Sequence, residues 1–280
     1  MRQHTLIRDS NIDRPEVNHI LGEGSPGERI ARPIRPSLAD YWASVEEFCR
    51  LCRRELPDRF VSCIIVGSLS TGDIVPGWSD VDAYLVLDAA KDDSSDRVSA
   101  LIDNVTRKFP WLSTDRGSLF SVIPVTRLEL LEGGPDVSFL SQWDIKRHGI
   151  VSCGEDLRPF VPEPKLDEAW IDRNTDWMIS YLEREKESTP YWRARNAIGF
   201  IMNGARNAVI RRGAYAKAKE ELANTFEGLY PERVDVLRSA MNHRAHWPLI
   251  LENVKAVAAV YEQSMDFLRW IGSPPKPGTL

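Results

Sequence analysis

The sequence predicts an α+β protein in which a small α/β domain with a mixed sheet precedes a C-terminal helical bundle. Three short apolar runs rich in β-branched residues lie in the first half of the chain, whereas the second half shows only helical periodicity. A proline-rich stretch, PFVPEPK at 159–165, separates the two halves. We therefore predict an N-terminal arm over 1–36, an α/β domain over 37–160 and a helical domain over 161–280.

The first half is predicted to alternate helices with strands. Ser37 is a suitable N-cap for an amphipathic helix over 37–56, and a second helix is expected over 94–109. Pro124 lies in the third apolar run and cannot donate to a sheet ladder, so that strand is expected to lie at an edge or to end there. The three strands are predicted at 61–66, 81–87 and 118–126.

The second half is predicted to contain five helices. Gly213 follows the second of them directly, where glycine commonly ends a helix. The helices are expected at 166–186, 192–212, 216–226, 232–241 and 247–271.

The composition excludes several classes of protein. The 280 residues carry a formal net charge of −5 at pH 7, which is a poor match for a general nucleic-acid binder, whose binding face is basic. No apolar run approaches the ~18 residues of a membrane span, and the N-terminus lacks the apolar core of a signal peptide. These features favour a cytoplasmic protein that acts neither on membranes nor on nucleic acid.

The four cysteines are too few for a disulfide scaffold in a chain of this length. Cys49 and Cys52 form a CxxC, which is compatible with a redox or zinc site. They lie inside the helix predicted over 37–56, however, and no second CxxC completes a zinc site. We predict that they are packing residues.

The segment that connects the first two strands carries the candidate chemistry. Gly67 and Ser68 follow the first strand, and Asp80 and Asp82 begin the second, eleven residues later. Glycine lets a phosphate approach the backbone, and a serine hydroxyl can donate to it. Aspartates at i and i+2 of a strand share a face, where their mutual repulsion is relieved by a hard cation such as Mg²⁺. A phosphate cradle beside a metal site predicts phosphoryl or nucleotidyl transfer.

The alternative is a flexible loop without chemistry. In that interpretation Asp80 is a turn or capping residue and Asp82 pairs with an arginine. The order of the elements favours the metal and phosphate site. A strand is followed by Gly-Ser, a gap, Asp-x-Asp and a second strand.

This segment resembles the signature of the DNA polymerase β-like nucleotidyltransferase superfamily. The matching residues are Val66-Gly67-Ser68 and, after a gap of eleven residues, Asp80-Val81-Asp82-Ala83. Within this superfamily, the chain most resembles the antibiotic nucleotidyltransferases, namely the streptomycin/spectinomycin adenylyltransferases and the kanamycin nucleotidyltransferase. The segment 213–224 is similar to the start of their later C-terminal helices. The resemblance implies the same two-part fold and a lysine, Lys219 here, that reaches the ATP phosphates.

The resemblance also implies a reaction. ATP would bind with its phosphates on Gly67 and Ser68, while Asp80 and Asp82 hold Mg²⁺ as a hydroxyl attacks the α-phosphorus. The superfamily usually adds a third carboxylate on a following strand, but the run 118–126 contains none. The candidates to replace it are Asp115, before that run, and Glu129, after it. Without a third ligand, catalysis would be weak or lost, and a nucleotide-binding regulator or pseudo-enzyme is the rival interpretation.

The acceptor is predicted to be a small cationic molecule such as an aminoglycoside. The helix after the linker interleaves acids with aromatic rings, which suits an aminosugar through charge and cation–π contacts. Asp176 and Glu183 are seven residues apart and share one helical face. A solvated helix face and a protein or RNA hydroxyl as acceptor remain the alternatives. The residues concerned are Asp167, Glu168, Asp172, Asp176, Glu183, Glu185 and Glu187, with Trp170, Trp177 and Tyr181 among them.

Overall fold

A computed structural model describes residues 35–88, 94–134 and 136–272. The described residues belong to one compact unit that begins at Arg35. Nearly all of the arm predicted over 1–36 lies outside them. The domain boundary near residue 160 stays a prediction, while the α+β class with a helical C-terminal region is confirmed.

A four-stranded mixed sheet with the order β5-β2-β1-β6 forms the first part. β1 (Phe60–Val66) pairs antiparallel with β2 (Val81–Leu87), and β5 (Phe120–Thr126) runs parallel to β2. β5 is an edge strand, as its proline predicts. β6 (Ile150–Gly154), antiparallel to β1, was not predicted, because its five residues are too short for a clear apolar pattern.

Helices cover both faces of this sheet. One face packs on α1 (Leu38–Glu55) and α3 (Ser94–Lys108), the two helices that the sequence predicts. Ser37 caps α1 through a reciprocal capping box with Asp40. Short elements that were not predicted complete this part. They are α2 (Gly67–Thr71), the hairpin of β3 (Ser113–Thr114) and β4 (Gly117–Ser118), α4 (Arg127–Glu132) and α5 (Phe139–His148).

Beyond β6 the described residues form helices and no strand. The long α7 is the central helix, buried along most of its length against its neighbours. The single helix predicted over 247–271 is two helices, which separate near residue 252. None of the described helices is long and apolar enough to cross a membrane. The helices are α6 (Glu168–Arg184), α7 (Pro190–Arg211), α8 (Lys219–Leu229), α9 (Val234–Ala245), α10 (Trp247–Leu251) and α11 (Val254–Gly272).

The segment between α2 and β2 is embedded in the helical part. The Trp78 side chain is buried there, with its ring 6.0 Å from both Tyr191 of α7 and Trp247 of α10. The indole N–H of Trp247 donates to the carbonyl of Pro76 at 3.3 Å. The helical part therefore fixes the chain immediately before Asp80.

Cys49 is not only a packing residue, because the structure joins it to Cys153 in a disulfide between α1 and β6. The sequence did not predict this bond, since the two cysteines are 104 residues apart. Cys52, the other half of the CxxC, is a buried free thiol as predicted.

Candidate functional site

Gly67 brings the end of β1 against the carboxylate of Asp82. Its φ is +71°, a conformation that side chains with a Cβ rarely adopt. A Cβ at this position would overlap Oδ2 of Asp82. Only glycine therefore allows the backbone and the carboxylate to lie this close together.

Ser68 lies in the first turn of α2, directly after Gly67. The first N–H groups of a helical turn have no partner within it, so they are available to an anion. The Ser68 hydroxyl forms no hydrogen bond within the described part of the chain, whereas the neighbouring Ser70 hydroxyl donates to the carbonyl of Gly67 at 3.0 Å. The Ser68 hydroxyl is thus free to donate outward, and its role in phosphate binding stays a prediction.

Asp80 and Asp82 flank the buried Val81 at the start of β2, so their carboxylates share the opposite face. Asp82 is half-buried and has no hydrogen-bond or ion-pair partner among the described residues. Burial, with the charge of Asp80 as a second cause, raises the pKa of Asp82 to about 8. Two carboxylates on one face of a strand, one of them without an ion-pair partner among the described residues, are a donor set that fits Mg²⁺.

Arg195 of α7 contacts this pair, although the sequence did not identify it. Its guanidinium donates to Oδ2 of Asp80 at 3.1 Å and to the Tyr191 hydroxyl at 3.0 Å. It also donates to the carbonyl of Trp78. The predicted alternative of an arginine paired with Asp82 is therefore not found; the arginine pairs with Asp80.

A buried ionic cluster lies next to Asp82. Asp144 of α5 accepts from Lys217 at 2.5 Å, from the Tyr215 hydroxyl at 2.6 Å and from Arg206 at 3.1 Å. Burial by itself would raise the pKa of Asp144, but Arg206 and Lys217 lower it to about 2. The charge of Lys217 also acts on Asp82 and stabilises its ionised form. Asp144 therefore holds a lysine beside the candidate metal ligands.

Lys219 presents a second cation at the same place. Its backbone N–H donates to Asp73 at 3.0 Å, but its ammonium forms no hydrogen bond or ion pair within the described part of the chain. Burial lowers the pKa of Lys219 to about 8, and the charges of Lys217 and Arg244 contribute to the shift. A half-buried ammonium without a counter-ion is suited to an anionic ligand.

The structure does not bring a third carboxylate to the pair. No other carboxylate, histidine or cysteine of the described residues joins Asp80 and Asp82 in one group with ligand atoms within 4.8 Å of one another. The residue of β5 in register with Asp82 is Ser121.

The two candidates for the third carboxylate have other roles. Glu129 forms a capping box with Thr126, five residues along β5 from Ser121 and roughly 17 Å away at 3.3 Å per residue. Asp115 accepts a hydrogen bond at 2.8 Å from the indole N–H of Trp192. Both residues therefore have structural functions in this fold.

The predicted acceptor residues lie on the exposed side of α6. Asp176 and Glu183 both face solvent, and Glu183 is 3.8 Å from Arg269 of α11. The aromatic rings of α6 contact the helical core instead, since Trp177 and Tyr181 both pack on Phe200. No contact between these acids and the Asp82 site exists among the described residues, so their role as acceptor ligands stays a prediction.

No protein-family model matches the chain, and no curated protein matches it in sequence. Among solved structures, its fold is similar to that of the spectinomycin adenyltransferase AAD(9) from Enterococcus faecialis, determined with ATP and spectinomycin. The TM-score is 0.56 at 12% sequence identity, and the match covers 81% of this chain and 99% of the other. At this identity the likeness shows the fold alone.

Changing Gly67 to Ala should damage the site more than the fold. The new Cβ must push the Asp82 carboxylate away, and the positive φ adds about 1 kcal/mol of backbone strain. We expect Mn²⁺ affinity, measured by the paramagnetic signal of free Mn²⁺, to fall at least tenfold while far-ultraviolet circular dichroism is unchanged. Gly72→Ala is the matched control, because Gly72 also has a positive φ but an open space around it. Equal metal affinity in the two variants would contradict the role of Gly67.

The contribution of Asp82 to the stability of the metal-free protein should become unfavourable as pH rises from about 4 to 8. In this window folded Asp82 keeps a proton that the unfolded chain has already lost, because its folded pKa is about 8. In EDTA at pH 8, Asp82→Asn should therefore be more stable than the wild type by roughly 1–3 kcal/mol, a discounted value for a half-buried group.

Urea unfolding at pH 5 and pH 8 measures this effect. Asp103→Asn, on the exposed side of α3, is the control. It should leave the free energy of unfolding unchanged at both pH values. A loss of stability in Asp82→Asn at pH 8 would show that the Asp82 carboxylate is already compensated in the folded protein.

Proposed function

We propose that the protein is a Mg²⁺-dependent nucleotidyltransferase that moves AMP from ATP to a hydroxyl of a small cationic acceptor. The observation that supports it most is that two half-buried groups of opposite charge lie near each other and that neither has an ion-pair partner among the described residues. They are the Asp82 carboxylate against Gly67 and the Lys219 ammonium, and burial disfavours the charge of both. A divalent cation with a triphosphate satisfies both at once.

The triphosphate is assigned to the start of α2 and to the lysines beside it. Ser68, directly after Gly67, donates from its hydroxyl and backbone. Lys219 supplies an ammonium that forms no ion pair among the described residues. Lys217, which Asp144 holds at 2.5 Å, adds positive charge without being available for a second strong ion pair.

Asp80 and Asp82 are assigned to the metal. When bound, Mg²⁺ would neutralise the charge that develops on the transferred phosphoryl group and on the leaving pyrophosphate. Arg195 now donates to Asp80 and so neutralises one of the two carboxylates. Its guanidinium has two further acceptors, Tyr191 and Trp78, which keep it in place if Asp80 turns toward a metal.

In the proposed transfer, the acceptor oxygen forms a bond to the α-phosphorus and the bond to the bridging oxygen breaks. Pyrophosphate leaves with the electron pair, and the acceptor hydroxyl loses its proton. ATP is proposed as the donor because the similar structure contains it. Its abundance in the cytoplasm is consistent with that location for this protein.

The proposed acceptor is cationic because the chain offers exposed acids on α6 around Asp176 and Glu183. The similar structure carries spectinomycin, a small-molecule acceptor, which supports the same class here.

The second candidate is a nucleotide-binding regulator without turnover. Ser121 favours it, since this serine lies opposite Asp82 where a third carboxylate would complete the site. Such a protein would bind Mg²⁺ and ATP by the same residues but would transfer nothing.

Incubation with α-labelled ATP, Mg²⁺ and a panel of aminoglycosides tests the function. We expect a labelled acceptor and one pyrophosphate per transfer. Asp82→Asn should lower the rate by at least 10²-fold, since each lost electrostatic group of this kind costs several kcal/mol. Lys219→Met should weaken ATP binding at least tenfold, while Lys255→Met, at the start of α11, should not. Binding of ATP without any transfer, to the panel or to the protein itself, would identify the regulator instead.

The acceptor assignment is tested by the double change Asp176→Lys and Glu183→Lys. It should raise the acceptor KM several-fold but leave the ATP KM unchanged, and added salt should reduce the difference by screening. Reversing Glu232 and Asp235, which lie near the start of α9, is the matched control. An acceptor KM that ignores both salt and charge reversal would assign the acceptor to another surface.

A further inference from the structure

An open cavity of about 480 Å³ lies at the surface where α1 meets β6, and nothing in the proposed reaction uses it. Its wall contains the disulfide between α1 and β6, in a chain that the sequence otherwise places in a reducing compartment. Disulfides of such proteins are mostly transient or redox-sensing. The cavity is lined by Glu46, Cys49, Arg50, Arg53, Arg54, Ser152 and Cys153.

The cavity is positively charged. Three arginines of α1 face one glutamate, Glu46, across the lining. Arg50 forms an ion pair with Glu47 at 2.6 Å, and Arg54 forms one with Glu55 at 2.6 Å. Arg53 has no hydrogen-bond or ion-pair partner among the described residues. The lining thus suits a small ligand that carries carboxylates.

Cys49 and Cys153 both line this cavity, and they keep 4% and 6% of their surface exposed. The Ser152 hydroxyl lies 3.4 Å from Sγ of Cys49 and can donate to a thiolate there. Cys49 is therefore the better leaving group and Cys153 the sulfur that a nucleophile attacks.

The remaining thiols cannot open the bond by themselves. Cys63 has its sulfur within 4.8 Å of both bonded sulfurs, but burial raises its pKa to about 12. It stays protonated at neutral pH, and only a thiolate attacks a disulfide. Burial likewise raises the pKa of Cys52. Exchange of this disulfide therefore depends on a thiol from outside.

We propose that Cys49–Cys153 is an exchange site for small carboxylate-bearing thiols that dock on the arginines of the cavity. The thiolate of the first molecule bonds to Sγ of Cys153, and Cys49 leaves as a thiolate with the electron pair of the broken bond. A second thiolate attacks the small molecule's own sulfur and releases Cys153. One protein disulfide and two external thiols become one protein dithiol and one external disulfide, with protons exchanged with water.

Opening the bond removes a cross-link between α1 and the edge strand β6. The cross-link joins positions 104 residues apart, and a bond that closes so long a loop restricts the unfolded chain strongly. We expect the dithiol form to melt roughly 5–15 °C lower than the disulfide form. β6 pairs with β1, and β1 ends directly before Gly67. The redox state of the cysteines therefore determines whether the strand next to β1 is cross-linked to α1.

The test compares three thiols on the folded full-length protein at low salt. They are 3-mercaptopropionate, 2-mercaptoethanol and cysteamine, which carry a carboxylate, no charge and an ammonium. Alkylation and mass spectrometry measure the rate at which each thiol opens the disulfide. Each rate is divided by the thiolate concentration and by the rate of the same thiol on a small-molecule disulfide. We expect the carboxylate thiol to be at least threefold faster than the neutral one, the ammonium thiol to be slowest, and 0.5 M salt to remove the order.

The double change Arg50→Gln and Arg53→Gln should make the corrected rates of the three thiols equal. Arg184→Gln, which changes an exposed arginine of α6, is the control and should leave their order unchanged. Peptide mapping should find label at Cys49 and Cys153 before Cys52 or Cys63. Equal corrected rates in the wild type, or a charge order that survives the double change, would overturn the proposal. Four free thiols in protein purified without reductant would overturn it as well.

Discussion

The site depends on the close approach between the backbone of Gly67 and the carboxylate of Asp82. This contact needs a residue without a Cβ at a positive φ, and it leaves a half-buried carboxylate that forms no ion pair among the described residues. Ionising Asp82 there is unfavourable, which is why its pKa is raised to about 8. A fold that keeps such a charge is most stable with a cation bound, and this requirement links the structure to the proposed chemistry.

The helical part supplies the positive charges that the sheet lacks. Arg195 of α7 donates to Asp80, while the charges of Lys219, the first residue of α8, and of Lys217 just before it act on Asp82. Their positions are fixed by contacts that have no function of their own, such as Trp78 in the helical core and Asp144 beneath Lys217. The proposed metal ligands and phosphate ligands thus come from different parts of one compact unit, and packing between the parts determines their spacing.

Local signals made the strands β1, β2 and β5 and the pair of aspartates predictable. Apolar β-branched runs, a Gly-Ser turn and aspartates two residues apart all act over short stretches of chain. β6 carried too few residues for such a signal. The Arg195–Asp80 contact spans 115 residues and the Arg206–Asp144 contact 62, so no local pattern predicts them. Glu129 was a reasonable third carboxylate by spacing, but the parallel register of β5 places its cap at the far end of the sheet.

In the proposed enzyme, Asp80 and Asp82 hold a metal together with a triphosphate on Gly67, Ser68 and Lys219. A crystal structure with Mg²⁺ and a non-hydrolysable ATP analogue would show both ligands in place. We expect a metal about 2.0–2.1 Å from an oxygen of each aspartate. We also expect a phosphate oxygen within hydrogen-bond distance of the Lys219 ammonium, with Asp80 turned away from Arg195. A nucleotide bound elsewhere, or a metal-free site in which Asp80 keeps its bond to Arg195, would contradict this proposal.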